Sequence, residues 1–257
     1  MELIKSASRR NFWSEVLYII LNLALALGVF ALVQSFPQQP YLAVLLVLLS
    51  KWRIFAVRPR YWFAHIQSNL VDVAVGLSAV ALIFLSEGET TFQLILTALY
   101  AAWLLFLKPR SRRQDMIWQA GVAQFVGIVA LSSFSHEMPS SVFVLGIWLI
   151  AYASVRHVLS TYDEDNISLL SIAYALIFAE LAWFYYHWMV AYPLAGIIAV
   201  PQLAIIGLLL SFVAQRLYDV LFHKENLTFK QARGPILFFG SVTAVLFMFF
   251  TRWNIGV

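Results

Sequence analysis

The 257-residue chain contains no cysteine, and Asp, Glu, Lys and Arg together make up only 12% of it. Without thiols there is no disulfide, no thiolate nucleophile and no Cys-ligated zinc or iron–sulfur centre. With so little charge the chain cannot cover a water-facing surface, since soluble domains carry about 25% charged residues. The recognised chemical motifs are missing too. No Gly-x-Ser-x-Gly, no Gly-rich phosphate loop and no paired-histidine zinc helix occurs. Tyr218-Asp219 has no Gly-Asp companion of the kind an intramembrane aspartyl protease uses, and no lysine sits in the middle of a late apolar run to form a retinal Schiff base. No cofactor is implied.

What is present is oil. Apolar residues make up 62% of the chain, and mean hydropathy is +0.81. The apolar runs are continuous rather than alternating, which favours helices that satisfy their own backbones in lipid over a barrel of strands. The sequence therefore predicts an all-α, polytopic transmembrane bundle of about nine spans: 13–34, 41–57, 68–85, 91–107, 116–134, 141–159, 167–188, 194–217 and 235–251. Nine crossings use about 180 residues, so the connections are too short for a soluble catalytic domain. The basic stretch before residue 13 is read as the flank of an uncleaved first span rather than as a signal peptide.

The basic residues orient this array. With the N-terminus inside, 16 of the 17 Lys and Arg residues fall on one side, and only Arg252 falls on the other. The alternate loops around Pro37–Pro40, Glu87–Thr90 and His136–Ser140 hold none. This bias predicts an N-in, C-out protein of the bacterial cytoplasmic membrane. The second span is the weakest, because Lys51 and Arg53 lie within it. Both are expected to snorkel toward the headgroups. A net charge of +4, placed in membrane loops, points to a bilayer with anionic headgroups as partner and away from nucleic acid.

A weak repeat recurs at a spacing of about fifty. Trp52-x-x-Phe55 returns as Trp103-x-x-Phe106, Arg58-Pro59-Arg60 as Lys108-Pro109-Arg110, and Val71-x-x-x-Val75-Gly76 as Val122-x-x-x-Val126-Gly127. The reading is a single membrane-embedded domain, 1–257, with hairpin repeats at 41–85 and 91–134. The segment from Trp52 to Trp62 resembles loops of uncharacterised bacterial polytopic membrane proteins. The resemblance covers eleven residues and implies no activity.

Candidate sites follow from charge placed in oil. Glu180 lies well inside span seven, where a charged side chain costs a few kcal/mol on insertion scales and seeks a partner or water. His187 shares its helix face, and Pro201 in span eight is expected to free the Ile197 carbonyl beside Gln202. Glu180, His187 and Gln202 form the candidate substrate-binding group, set against the alternative of a protonated Glu180 bonded to a neighbouring helix. Arg58, Arg60, Lys108 and Arg110 are the candidate lipid-headgroup residues, set against a purely topological role. Asp72 and Glu15 are read as helix-dipole carboxylates, with Arg58 or Arg60 as partner to Asp72. Asp163-Glu164-Asp165 is read as a solvated turn of the same kind, with divalent-cation binding as the lesser alternative.

Three functions are compatible with this pattern. The first is translocation of a small solute or lipid through the bundle around Glu180. The second is a non-catalytic scaffold or subunit that docks a partner, a membrane protein or a second copy, through its basic cytoplasmic loops. The third is an intramembrane enzyme acting on lipid, which has no nucleophile–base pair to support it.

Overall fold

The computed structural model describes residues 12–54, 56–224 and 229–250. Lys5, Arg9, Arg10, Phe55 and Arg252, which enter the topology and repeat readings, lie outside the described residues, as does the side chain of Arg53. Nine α-helices occur among the described residues: α1 (Phe12–Ser35), α2 (Tyr41–Leu49), α3 (Trp62–Leu85), α4 (Thr90–Ala102), α5 (Arg113–Ser133), α6 (Ser140–Leu159), α7 (Ile167–His187), α8 (Gln202–Lys224) and α9 (Phe229–Phe249). Eight of them, all but α2, are long and apolar enough to cross a membrane, α4 together with its continuation to Leu107. The protein is an all-α, multi-pass membrane bundle. Its chain forms two compact units, 1–115 and 116–257.

In the first unit, α2 departs from the expected span 41–57. Its nine residues rise about 14 Å, half of a bilayer core of about 30 Å. It stops at Leu49 because Lys51 turns into the unit. The chain then continues through short 3-10 turns at Trp52–Ile54 and Pro59–Tyr61. The chain nevertheless returns to the other end of the unit. At one end of the unit, Gln34 near the end of α1 hydrogen-bonds Gln93 near the start of α4, and Gln93 Nε2 donates to the Ile83 carbonyl near the end of α3 at 2.9 Å. The C-terminal ends of α1 and α3 therefore lie together, so the two helices run parallel. Between them the chain has to return to the other end, and α2 with its irregular continuation is that return. The helix α3 starts at Trp62 rather than Ser68, and its first two turns are largely exposed.

Helix α4 runs into a π turn at Trp103–Leu107, and the sequence explains why. The Lys108 N–H bonds the Trp103 carbonyl at 2.9 Å, and the next residue, Pro109, has no N–H for Leu104. The Leu104 carbonyl accepts instead from the Tyr18 hydroxyl of α1 at 2.9 Å, which ties α1 to α4 near the basic end. Close packing inside the unit uses small residues. A Cβ at Gly76 would stand 2.7 Å from Val47 Cγ1, so α3 meets α2 at van der Waals contact only because no side chain intervenes.

In the second unit, α6 and α7 form the most closely packed pair of helices. Ser135 after α5 donates to Met189 Sδ after α7 at 3.2 Å, and Tyr186 donates to the Met138 carbonyl at 2.9 Å. These bonds gather the ends of α5 and α7 with the start of α6. The expected eighth span, 194–217, is displaced. Ala191–Leu194 and Ile198–Pro201 pair as a short antiparallel hairpin, β1 and β2, and α8 begins only at Gln202. The hairpin turns at Ala195 and Gly196, whose φ values of 54° and 72° are left-handed. Glycine meets that requirement without cost, and Ala195 adopts it with some strain.

Among the helical glycines, a Cβ at Gly28 would meet Leu46, one at Gly127 Ile150 and one at Gly207 the Phe178 ring, while Gly240 has open space around it.

Candidate functional site

Two places in the fold combine charge with an apolar setting, one in each unit. They are different in kind.

The first is an ion cluster centred on Asp72. Asp72 sits about 15 Å along α3 from Trp62 and about 20 Å from Leu85. It is 8% exposed. Lys51, which follows α2, bonds its Oδ2, and Lys108, which follows the π turn, reaches the same oxygen at 2.9 Å. Trp103 Nε1 points at Oδ1 from 3.4 Å. Tyr100, one turn before Trp103, is 2% exposed, and its hydroxyl has no hydrogen-bond partner. That hydroxyl would lie 3.1 Å from a Cβ placed on Gly76, one helical turn from Asp72 on the same helix face. Three elements thus converge: the early stop of α2, the body of α3 and the π turn that follows α4.

This arrangement corrects two expectations. Asp72 pairs with Lys51 and Lys108 rather than with Arg58 or Arg60. Lys51 does not snorkel to the headgroups; at 7% exposure it is buried against Asp72, because a carboxylate at its own depth is the nearer partner. Of the predicted headgroup residues, Lys108 belongs to this cluster. Arg110 lies 3.6 Å from Asp115. Arg60 stands exposed with its guanidinium over the Tyr61 ring at 4.6 Å, and Arg58 precedes the 3-10 turn at Pro59.

The second place is Glu180. It lies seven residues before His187, so about 10 Å from that end of α7. It is exposed and lines a groove of about 480 Å³ with Ile177, Leu181, Trp183 and Phe184. All five residues belong to α7. The buried side of this helix is carried by Ser171, Ala175, Phe178, Ala182 and Tyr185. The charge therefore faces outward from its unit, among apolar side chains. His187 lies on the same outward side, with its ring 4.7 Å from that of Trp183. Gln202 lies elsewhere: it is 5% exposed at the start of α8, and its N–H donates to the Val190 carbonyl at 2.8 Å. The Ile197 carbonyl belongs to the hairpin connection rather than to a proline-broken helix. The structure thus brings Glu180 and His187 to one face, and Gln202 is not among the residues that line the groove.

A polar network that the sequence reading missed joins α5, α7 and α8. Gln124 Nε2 donates to Ser211 Oγ at 2.8 Å, Tyr174 donates to Gln124 Oε1 at 3.2 Å, and the Tyr174 and Ser211 hydroxyls are 2.5 Å apart. Gln119 meets His157 at 2.8 Å. Gln119 and Gln124, two amides inside the apolar run of α5, were the available sign. In the loop before α7, Glu164 accepts from the Asn166 N–H at 3.0 Å and from the Tyr218 hydroxyl at 2.5 Å. These two bonds, the tyrosine's first, hold its carboxyl below the ordinary glutamate range. Among the described residues no three His, Asp or Glu side chains converge as a metal site would require.

No family model, no curated protein and no solved structure matches the chain.

Proposed function

We propose that the protein is a non-catalytic membrane subunit that docks another membrane protein through the outward face of α7. The observation that carries this reading is the position of Glu180, an exposed carboxyl about 10 Å inside a span and ringed by apolar side chains. On insertion scales a charge near the bilayer centre costs about 2.5–3.5 kcal/mol when nothing meets it. A partner helix removes that cost.

The occupant we favour is a transmembrane helix of a different protein, carrying Lys or Arg at the depth of Glu180. Charge complementarity selects it over a second copy. Within the described helices of this chain, Arg113, Arg156 and Arg233 lie within about one turn of a helix end and Arg216 eight residues from one, while Lys51 and Lys108 are already paired with Asp72. Ile177, Trp183 and Phe184 supply the apolar flank that such a helix packs on. The reading places the subunit in the cytoplasmic membrane, N-in and C-out, on the strength of the Lys and Arg distribution.

Translocation around Glu180 has less support. It needs the carboxyl on a hydrated path inside the bundle, and Glu180 faces outward from its unit.

The test is a photocrosslinking amino acid at Phe184, in membranes of the producing cell. The expected result is a crosslink to a transmembrane segment containing Lys or Arg. Glu180→Leu should abolish it, and a charge swap, Glu180→Lys with the partner cation changed to Glu, should restore it. Crosslinks only to lipid, only to a second copy or only within one chain contradict the proposal. Solute flux in liposomes that is lost in Glu180→Gln replaces it with translocation.

A further inference from the structure

The Asp72 cluster holds more donors than its single carboxylate can use. Each lysine ammonium carries three N–H, the Trp103 indole one and the Tyr100 phenol one. Against these about eight donors, Asp72 offers two oxygens with about four acceptor sites. Lys51 and Lys108 each make one bond, and both go to the same oxygen, Oδ2. The Tyr100 hydroxyl makes none. Two cations on one anion leave a formal charge of +1 in a largely buried place. The imbalance has one sign throughout: too many donors, too few acceptors, and an excess of positive charge.

We propose that this cluster binds the phosphate of an anionic phospholipid, with Lys51, Lys108 and Tyr100 as the donors and Asp72 holding the two lysines in place. A phosphodiester carries one negative charge, which matches the excess, and two unbridged oxygens, which take up the idle N–H and O–H groups. Lys108 keeps 30% of its side chain exposed and is the side from which a ligand reaches the cluster. The flanks are apolar and exposed. Leu49 and Trp52, on either side of Lys51, are 67% and 64% exposed, and Phe106, two residues before Lys108, is 64% exposed. Acyl chains can lie against such residues, whereas a soluble phosphate makes no use of them. The site belongs to the unit that does not contain Glu180, so its test is independent of the docking proposal.

The experiment uses the purified full chain in detergent. Retention of phosphatidylglycerol and phosphatidylcholine, supplied in equal amounts, is read by native mass spectrometry. Phosphatidylglycerol should be retained preferentially. Lys108→Gln should weaken that retention about fivefold, the factor expected for one lysine near an anionic headgroup, and Lys108→Arg should preserve it. Tyr100→Phe separates ligand binding from fold. If the hydroxyl is merely buried, its removal leaves lipid retention untouched. If it serves the phosphate, retention falls while the protein stays folded. Equal retention of the two lipids, or no response to both Lys108→Gln and Tyr100→Phe, overturns the proposal. Displacement of phosphatidylglycerol by excess inorganic phosphate overturns the lipid assignment in favour of a soluble anion.

Discussion

Asp72→Ala removes the only carboxylate among the described residues that Lys51 touches, and the cost can be worked from the two lysines separately. Lys108, with 30% of its side chain exposed, relocates its ammonium toward water and loses little. Lys51 cannot do so. At 7% exposure its choices are to stay charged without a counterion or to give up its proton. Removing one member of a buried pair costs about 3–5 kcal/mol, and Lys51 carries most of that. The assay is unfolding in mixed dodecyl maltoside and SDS micelles, followed by tryptophan fluorescence, to which Trp103 reports from beside Asp72. Asp72→Ala should lose about 3–5 kcal/mol, and Lys51→Met added to it should recover most of the loss, because the stranded charge is then gone. A loss below about 1 kcal/mol, the range of exposed pairs, would refute the burial argument. So would a double variant no more stable than Asp72→Ala.

Two further outcomes follow from local geometry. Gly76→Ala places a Cβ 2.7 Å from Val47 Cγ1 and should destabilise by about 1–3 kcal/mol through overpacking. Val47→Ala in the same chain should relieve it, read in the same unfolding assay. The Glu164 carboxyl is held below the ordinary glutamate range by the Tyr218 hydroxyl and the Asn166 N–H. Its contribution to stability is therefore present above the ordinary glutamate pKa and is lost as pH falls through the depressed one. Tyr218→Phe should move the Glu164 titration upward, toward the ordinary value, followed by carboxyl carbon NMR of labelled protein. An unmoved titration would show that the backbone alone holds it.

Much of this architecture was legible in the residues because lipid leaves few options. Continuous apolar runs bounded by Pro, Gly and charge give helices, and α1, α6 and α7 begin and end within a residue or so of where hydropathy puts them. The misreadings occurred where a single interaction outweighs hydropathy. Lys51 ends α2 early because Asp72 holds it, and nothing local in Tyr41–Val57 announces a carboxylate fifteen or more residues downstream. The hairpin at Ala191–Pro201 is as apolar as a helix start, so the expected span 194–217 absorbed β2. Pro193, Gly196 and Pro201 were the local signs against a helix. The site followed the same pattern. Glu180 stood out as a charge in oil, but helical period alone does not say whether its face turns inward or outward. The Asp72 cluster needed three elements brought together, and sequence spacing named the wrong cations for it.

The topology of the first unit requires that α2 and its irregular continuation complete a crossing, so that α1 and α3 run parallel. The absence of native cysteine makes the measurement clean. Single cysteines at Gln38, Glu87, Arg60 and Ser111 are labelled in intact cells and after lysis with a membrane-impermeant maleimide. Gln38 and Glu87 should react in intact cells, while Arg60 and Ser111 should react only once the cells are opened. Labelling of Arg60 together with Gln38 in intact cells would mean that α2 enters the membrane and turns back, and would contradict the account.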